Sequence, residues 1–221
     1  MSLAAMPPTR EDWNVFSRYQ MRQVLENGVQ VMIGKEVTQG LVRTEKPDVL
    51  VVATGSSPAR PDIPGMDNMN VVEARDVFQG RAKYRGPIIV VGGGLVGCGI
   101  AEWLAERGEK VKIVEMLEDI AQDMFLNEKT TMLARWENLD IEVLTKRKLT
   151  SITLRGVAVQ AEGKTEEISG ETVVLAMGAQ PNQELGDLKG ETPEFYMIGD
   201  CVEPRKIINA VYEGTKAGCQ I

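Results

Sequence analysis

Pro87-Ile-Ile-Val-Val-Gly92-Gly-Gly94-Leu-Val-Gly97-Cys-Gly-Ile-Ala-Glu102 is the stretch that decides how this chain folds. Four branched apolar residues run into G-x-G-x-x-G, and a helix-forming segment follows at once. A glycine fingerprint alone is a weak signal. Here its surroundings agree, because a second apolar strand, Val111-Lys-Ile-Val114, closes on Glu115. That places an acid ~20 residues on, where a dinucleotide-binding βαβ unit puts the carboxylate that holds a ribose. In this reading Gly92 allows the tight turn, and Gly93 and Gly94 let the backbone approach a pyrophosphate. Gly97 lets helix and strand pack closely, and the N–H groups from Leu95 and Val96 onward receive the phosphate charge. A glycine-rich turn of some other doubly wound domain is the plainer alternative.

The composition fits an intracellular α/β protein. The 221 residues suffice for one large or two small domains. With 43% hydrophobic and only 5% aromatic residues, the core is expected to be aliphatic. A net charge of −7 argues against nucleic-acid or anionic-membrane partners, which require clustered Lys and Arg. Gly or charge interrupts every apolar run well short of a membrane span. The N-terminus lacks the pattern of a signal peptide. There is no His, and Cys98, Cys201 and Cys219 form neither C-x-x-C nor C-x-x-x-x-C. No local dithiol, metal-ligand set or imidazole catalyst is therefore expected, and a reducing cytoplasm fits best.

Along the chain, apolar spacing predicts a helix over 11–27, stopped by Gly28. Val29-Gln-Val-Met-Ile33 reads as a strand, and 36–44 as a short extended region broken by Gly40. Asp48-Val-Leu-Val-Val-Ala53 reads as a strand buried on both faces. The proline-rich 58–65 is a connector. After the βαβ unit come a helix over 127–138 and strands at 141–144, 149–154, 157–161, 166–168, 172–176 and 195–198. A last helix starts near 206. The apolar strands ending Ala53-Thr-Gly55 and Leu175-Ala-Met-Gly178 resemble each other and flank the dinucleotide unit. The fold class is therefore α/β, with a Rossmann-like NAD(P)-binding domain at 78–182. It is inserted in a partial FAD/NAD(P)-binding-type domain made of 1–77 and 183–221, whose first βαβ is missing.

These residues resemble the C-terminal, nucleotide-binding half of the family of NADH:flavin oxidoreductases that includes 2,4-dienoyl-CoA reductase, 2-enoate reductase and trimethylamine dehydrogenase. The resemblance is carried by Ala53-Thr-Gly-Ser56, Ile63-Pro-Gly65, Val90 to Cys98 and Val114-Glu-Met-Leu117. It continues in Leu175-Ala-Met-Gly178, Pro181-Asn182, and Ile198-Gly-Asp-Cys201 with Pro204-Arg205. It implies NADH as hydride donor to FAD, with electrons passing through a 4Fe-4S cluster and FMN in an N-terminal barrel to an enoate or enoyl-CoA. The barrel of the same polypeptide is the expected partner, and assembly of several copies is compatible with the resemblance. By itself the chain is expected to be an inactive fragment. A catalytically silent ADP- or NAD-binding module is the alternative. The family usually carries an acid where this chain has Gly99.

Glu115 is the sharpest candidate. It accepts the ribose hydroxyls and repels a 2′-phosphate, and no Lys or Arg lies between Met116 and Glu128, so NAD(H) is preferred over NADP(H). Met116 and Gly178 are assigned to the same cofactor. By resemblance, Thr54, Gly55, Gly199 and Asp200 touch flavin, although Gly-Asp is also ordinary turn chemistry. Arg205 faces flavin or phosphate, or is a solvated helix-start arginine. No general acid or base stands out, as expected where cofactors perform the hydride chemistry.

Overall fold

A computed structural model describes residues 2–221, and the chain in it divides into two compact units. The first comprises residues up to Val29 together with Arg60–Met177; the second comprises Gln30–Ala59 and Gly178–Ile221.

The first unit is built on a parallel sheet of five strands. These are β3 (Val71–Glu73), β4 (Ile88–Val91), β5 (Val111–Val114), β6 (Ile141–Leu144) and β10 (Thr172–Leu175), in the order β3-β10-β4-β5-β6. Helices α3 (Ala74–Phe78), α4 (Leu95–Ala105) and α5 (Leu126–Trp136) connect them. Strands β7 (Lys148–Thr153), β8 (Gly156–Ala161) and β9 (Lys164–Ser169) form an antiparallel meander.

Side-chain alternation explains why β4 reads as an unbroken apolar run. Ile88 and Val90 point into a core with Ile100, Ala101 and Leu104 of α4. Ile89 and Val91 point the other way, into a core with Leu149, Ile152, Val157, Val159 and Ile168 of the meander. Burial on both faces removes the polar alternation of a half-exposed strand. Each buried Val or Ile contributes ~1.5–3 kcal/mol. Glu102 of α4 is buried and takes a bidentate bond from Arg135 of α5, at 2.6 and 3.0 Å.

The helix expected over 11–27 is α1 (Asp12–Glu26), on which no residue is buried. The second unit holds α2 (Gln39–Glu45), β1 (Val49–Val52), β2 (Ser56–Pro58), β11 (Ala179–Pro181), β12 (Glu194–Met197) and α6 (Ile207–Gly218). β1 pairs in parallel with β12, and β2 pairs antiparallel with β11.

Three expectations are corrected. Residues 29–33 form no strand: no described strand pairs with them, and Val31, Met32 and Ile33 are exposed. Residues 39–45 are helical because the Thr38 hydroxyl caps the Leu41 N–H at 3.2 Å, and this places Gly40 inside a helix instead of at a break. β1 is not buried on both faces; it belongs to a two-stranded ribbon, and Val51 is exposed. The compact units change over at 29/30, 59/60 and 177/178, whereas the inserted domain was expected over 78–182; β3 pairs with β10 within the parallel sheet, and β11 pairs with β2.

Candidate functional site

β4 delivers its glycine-rich turn to the carboxyl edge of the parallel sheet, the edge where open α/β sheets bind ligands. Gly92 sits at φ +102°, and a Cβ there would lie 2.3 Å from the Ala176 carbonyl oxygen. No L side chain fits that turn. On Gly97 a Cβ would lie 1.8 Å from the Gly92 oxygen, so α4 rests directly on the turn. Gly93 is enclosed as well: a Cβ there would meet Ile120 Cγ2 at 2.6 Å. Gly94 differs, with an ordinary φ of −75° and no neighbour closer than Asp123 Oδ2 at 3.5 Å from its would-be Cβ. Beside Gly94 the α4 N-terminus begins with Leu95 and Val96, in the helical turn whose N–H groups have no intrahelical acceptor. The turn therefore has tight packing behind it, while in front of Gly94 the only near neighbour is the exposed Asp123 carboxylate, which accepts the Leu95 N–H at 3.0 Å; a helix N-terminus of this kind suits an anion.

Glu115 is buried, unlike a solvated acid at a strand end. Its Oε2 accepts the Gly93 N–H at 2.6 Å, and its Oε1 accepts the Leu117 N–H at 2.8 Å. The carboxylate thus fastens the glycine turn to the end of β5. Met116 beside it is exposed. The segment 116–128 carries no cation, but the end of β6 brings two alongside: the Lys146 N–H donates to the Leu117 oxygen and the Arg147 N–H to the Glu115 oxygen. Their side chains are engaged, Lys146 with Glu118 at 2.8 Å and Arg147 with Glu166 at 3.1 Å. Gly99 packs against Pro7, which would have to shift by a few tenths of an ångström to admit a side chain.

Cys98 is a buried helix residue whose thiol donates to the Gly93 oxygen at 3.2 Å. Burial first, then the nearby Asp123 charge, pushes its pKa up to about 12, which makes it unreactive.

In the second unit, Thr54 and Gly55 follow β1, and Gly199 and Asp200 follow β12. The register Val52↔Met197 means that both loops leave the same edge of the ribbon. The structure brings these four residues together. The Ser56 hydroxyl donates to Asp200 Oδ2 at 3.4 Å, and the Arg205 N–H donates to Asp200 Oδ1 at 3.3 Å. Gly178 opens this unit, and its carbonyl accepts the Ala59 N–H at 3.0 Å.

Two residues here were given no site role by the sequence reading. Asn182 bonds the Thr54 oxygen (3.1 Å), the Gly55 oxygen (3.0 Å) and the Ser57 hydroxyl (2.8 Å), holding the loop after β1. Its only sequence signal is its place after Pro181. Glu213 of α6 accepts the Gly199 N–H at 2.7 Å and pairs with the Arg205 guanidinium; these contacts hold its carboxyl below the usual range. Arg205 is accordingly paired, while remaining an exposed residue.

Residues 6–214 match the profile of a family described as pyridine nucleotide-disulphide oxidoreductase. An NADH oxidase of Thermoanaerobacter brockii is 36% identical over 228 residues, covering 100% of this chain and 35% of the relative. A bilirubin reductase of Mediterraneibacter gnavus (strain CC55_001C) is 34% identical, covering 97% of this chain and 34% of the relative. Among solved structures, a complex of 2-naphthoyl-CoA reductase with 2-naphthoyl-CoA superposes with a TM-score of 0.93 at 31% identity, over 99% of this chain and 34% of that one. The chain spans about a third of the length of the curated relatives it matches.

Proposed function

This chain belongs to the pyridine nucleotide-disulphide oxidoreductase family, and from that premise we propose that it is the NADH-binding, electron-input half of a larger flavin-dependent oxidoreductase. The observation that carries the reading is the glycine turn: closed behind at Gly92 and Gly97, flanked in front of Gly94 by nothing nearer than an exposed carboxylate at 3.5 Å, and set at a helix N-terminus.

The residues present fit a dinucleotide. The N–H groups of the first turn of α4 would take the pyrophosphate. Glu115, already anchored by two N–H groups, keeps acceptor capacity for ribose hydroxyls, and its charge disfavours a 2′-phosphate. Met116 offers an exposed apolar surface for the adenine side. Thr54, Gly55, Gly199 and Asp200 would touch the flavin, and Gly178 would lie under the nicotinamide half. When bound, NADH supplies a hydride and FAD accepts it, chemistry that belongs to the cofactors. The chain binds and orients them.

We place the chain in the 2,4-dienoyl-CoA reductase, 2-enoate reductase and trimethylamine dehydrogenase group. The iron–sulfur cluster, FMN and the enoate or enoyl thioester then belong to a barrel beyond these residues. Coverage of only a third of each relative supports this division of labour. NADH oxidase and bilirubin reductase among the relatives support a reductive role. One observation favours a silent module for the chain on its own: the second unit contains no glycine turn at a helix N-terminus to hold a flavin pyrophosphate. The isolated chain therefore binds nucleotide without turnover.

Calorimetric titration with NADH and NADPH, followed by absorbance of the gel-filtered protein, tests the reading. Saturable binding with NADH the tighter, and little retained flavin, is expected. Equal affinities would overturn the cofactor preference, and stoichiometric FAD would overturn the incomplete flavin site.

A further inference from the structure

We propose that Asp123 is a built-in anionic competitor for the phosphate position on the glycine turn, and that it sets how tightly the chain holds a dinucleotide. The inference rests on the reading that a dinucleotide binds there.

Asp123 is an exposed residue of the segment between β5 and α5, and its Oδ2 accepts the Leu95 N–H at 3.0 Å. The same carboxylate flanks the open side of the turn, with oxygens 3.5 and 3.8 Å from the point where a Gly94 Cβ would sit. The first N–H of α4 is thus already occupied by a negative charge in the space that a pyrophosphate needs.

This placement follows from how the segment is tied down. The Ala121 N–H donates to the Gly93 oxygen at 2.7 Å, and Ile120 packs over Gly93. Lys129 fastens the segment from α5 by bonding the Ile120 oxygen at 2.7 Å and pairing with Asp119. Asp123 itself makes no ion pair among the described residues, so its charge is not neutralised locally. Helix N-termini favour anions, and a side-chain carboxylate and a phosphate seek the same N–H groups. A bound phosphate must displace Asp123 or sit beside a bare carboxylate, and either weakens binding.

Affinity should therefore rise without any gain in stability. Asp123→Asn removes the charge but keeps an oxygen for the Leu95 N–H. Asp123→Ala removes both. Calorimetric titration of the 221-residue chain with NADH should show the dissociation constant falling about tenfold in both variants, equivalent to about 1.4 kcal/mol. Adenosine, which carries no phosphate, should bind all three proteins alike. Without ligand, the Ala variant should melt below the parent and the Asn variant close to it. A purely structural Asp123 would lower affinity along with stability.

If the parent binds NADH, Gly94→Val does not, and Asp123→Asn binds no more tightly than the parent, the competitor proposal is overturned while the dinucleotide site stands. If neither the parent nor either Asp123 variant binds NADH, the site itself is refuted, and the proposal with it.

Discussion

Gly97 and Gly94 lie three residues apart, and the structure gives them opposite sensitivities. A Cβ at position 97 would sit 1.8 Å from the Gly92 oxygen and 2.8 Å from the Gly92 carbonyl carbon. Restoring an ordinary contact requires α4 to move ~1.5 Å off the turn, and a gap of even 0.5–1 Å forfeits about a quarter to a half of each dispersion contact. The side chains that would lose contact, Ile100, Ala101 and Leu104, are fully buried. Gly97→Ala should therefore cost about 3 kcal/mol or somewhat more, at or above the top of the usual range for overpacking a core. For a unit of this size that lowers the melting temperature by about 10 °C. At position 94 the backbone is ordinary and the nearest atom is an exposed carboxylate at 3.5 Å. Gly94→Val should cost about 1 kcal/mol, the loss of a favourable N-cap residue, and should abolish the NADH-dependent rise in melting temperature. Thermal melting of parent and both variants, with and without NADH, reads both effects. A Gly97→Ala protein melting within 2 °C of the parent, taking about 2–4 °C per kcal/mol, would refute the packing argument. A full NADH-dependent rise in Gly94→Val would refute the binding argument.

Glu115→Gln leaves one side-chain oxygen to serve two N–H donors, so it should lower stability by about 1–3 kcal/mol while narrowing the gap between NADH and NADPH affinity; an unchanged gap in titrations would remove Glu115 from cofactor choice. Arg135→Met strands the buried Glu102 carboxylate, and chemical denaturation should show a loss of about 2–3 kcal/mol, less than for a fully enclosed pair because a third of the Arg135 side chain is exposed. Burial holds the Glu73 carboxyl above its usual range, opposed by Arg60. The folded state then binds that proton more tightly than the unfolded chain, so this group's contribution is full at low pH and lost as pH rises through the raised value. The stability advantage of Glu73→Gln over the parent should grow between pH 4 and 7, and a flat difference would contradict the raised value.

The parallel sheet and its glycine turn were legible because their signals are local. An apolar run, a glycine spacing and a terminal acid lie within 29 residues, from Pro87 to Glu115. The meander was legible from strand breaks at Arg155-Gly156 and Glu162-Gly163. Residues 29–45 were misread because Val29–Ile33 has strand composition but no neighbour to pair with, while a single hydroxyl, Thr38, outweighs Gly40 in starting a helix. Site features that depend on distant partners were not legible. Nothing within the segment 118–123 distinguishes Asp123 from Glu118 or Asp119 as the acid that reaches Leu95. Lys146 and Arg147 come alongside Leu117 and Glu115 only through the β5–β6 pairing. Glu213 meets Gly199 only once α6 has folded back along the second unit.

A crystal structure of the 221-residue chain with NADH tests the central claim most directly. The account predicts the pyrophosphate over Gly94, within hydrogen-bond distance of the first N–H groups of α4, with Asp123 turned away from Leu95 and Glu115 on the ribose. A dinucleotide bound elsewhere, with the Asp123–Leu95 contact intact, would contradict it.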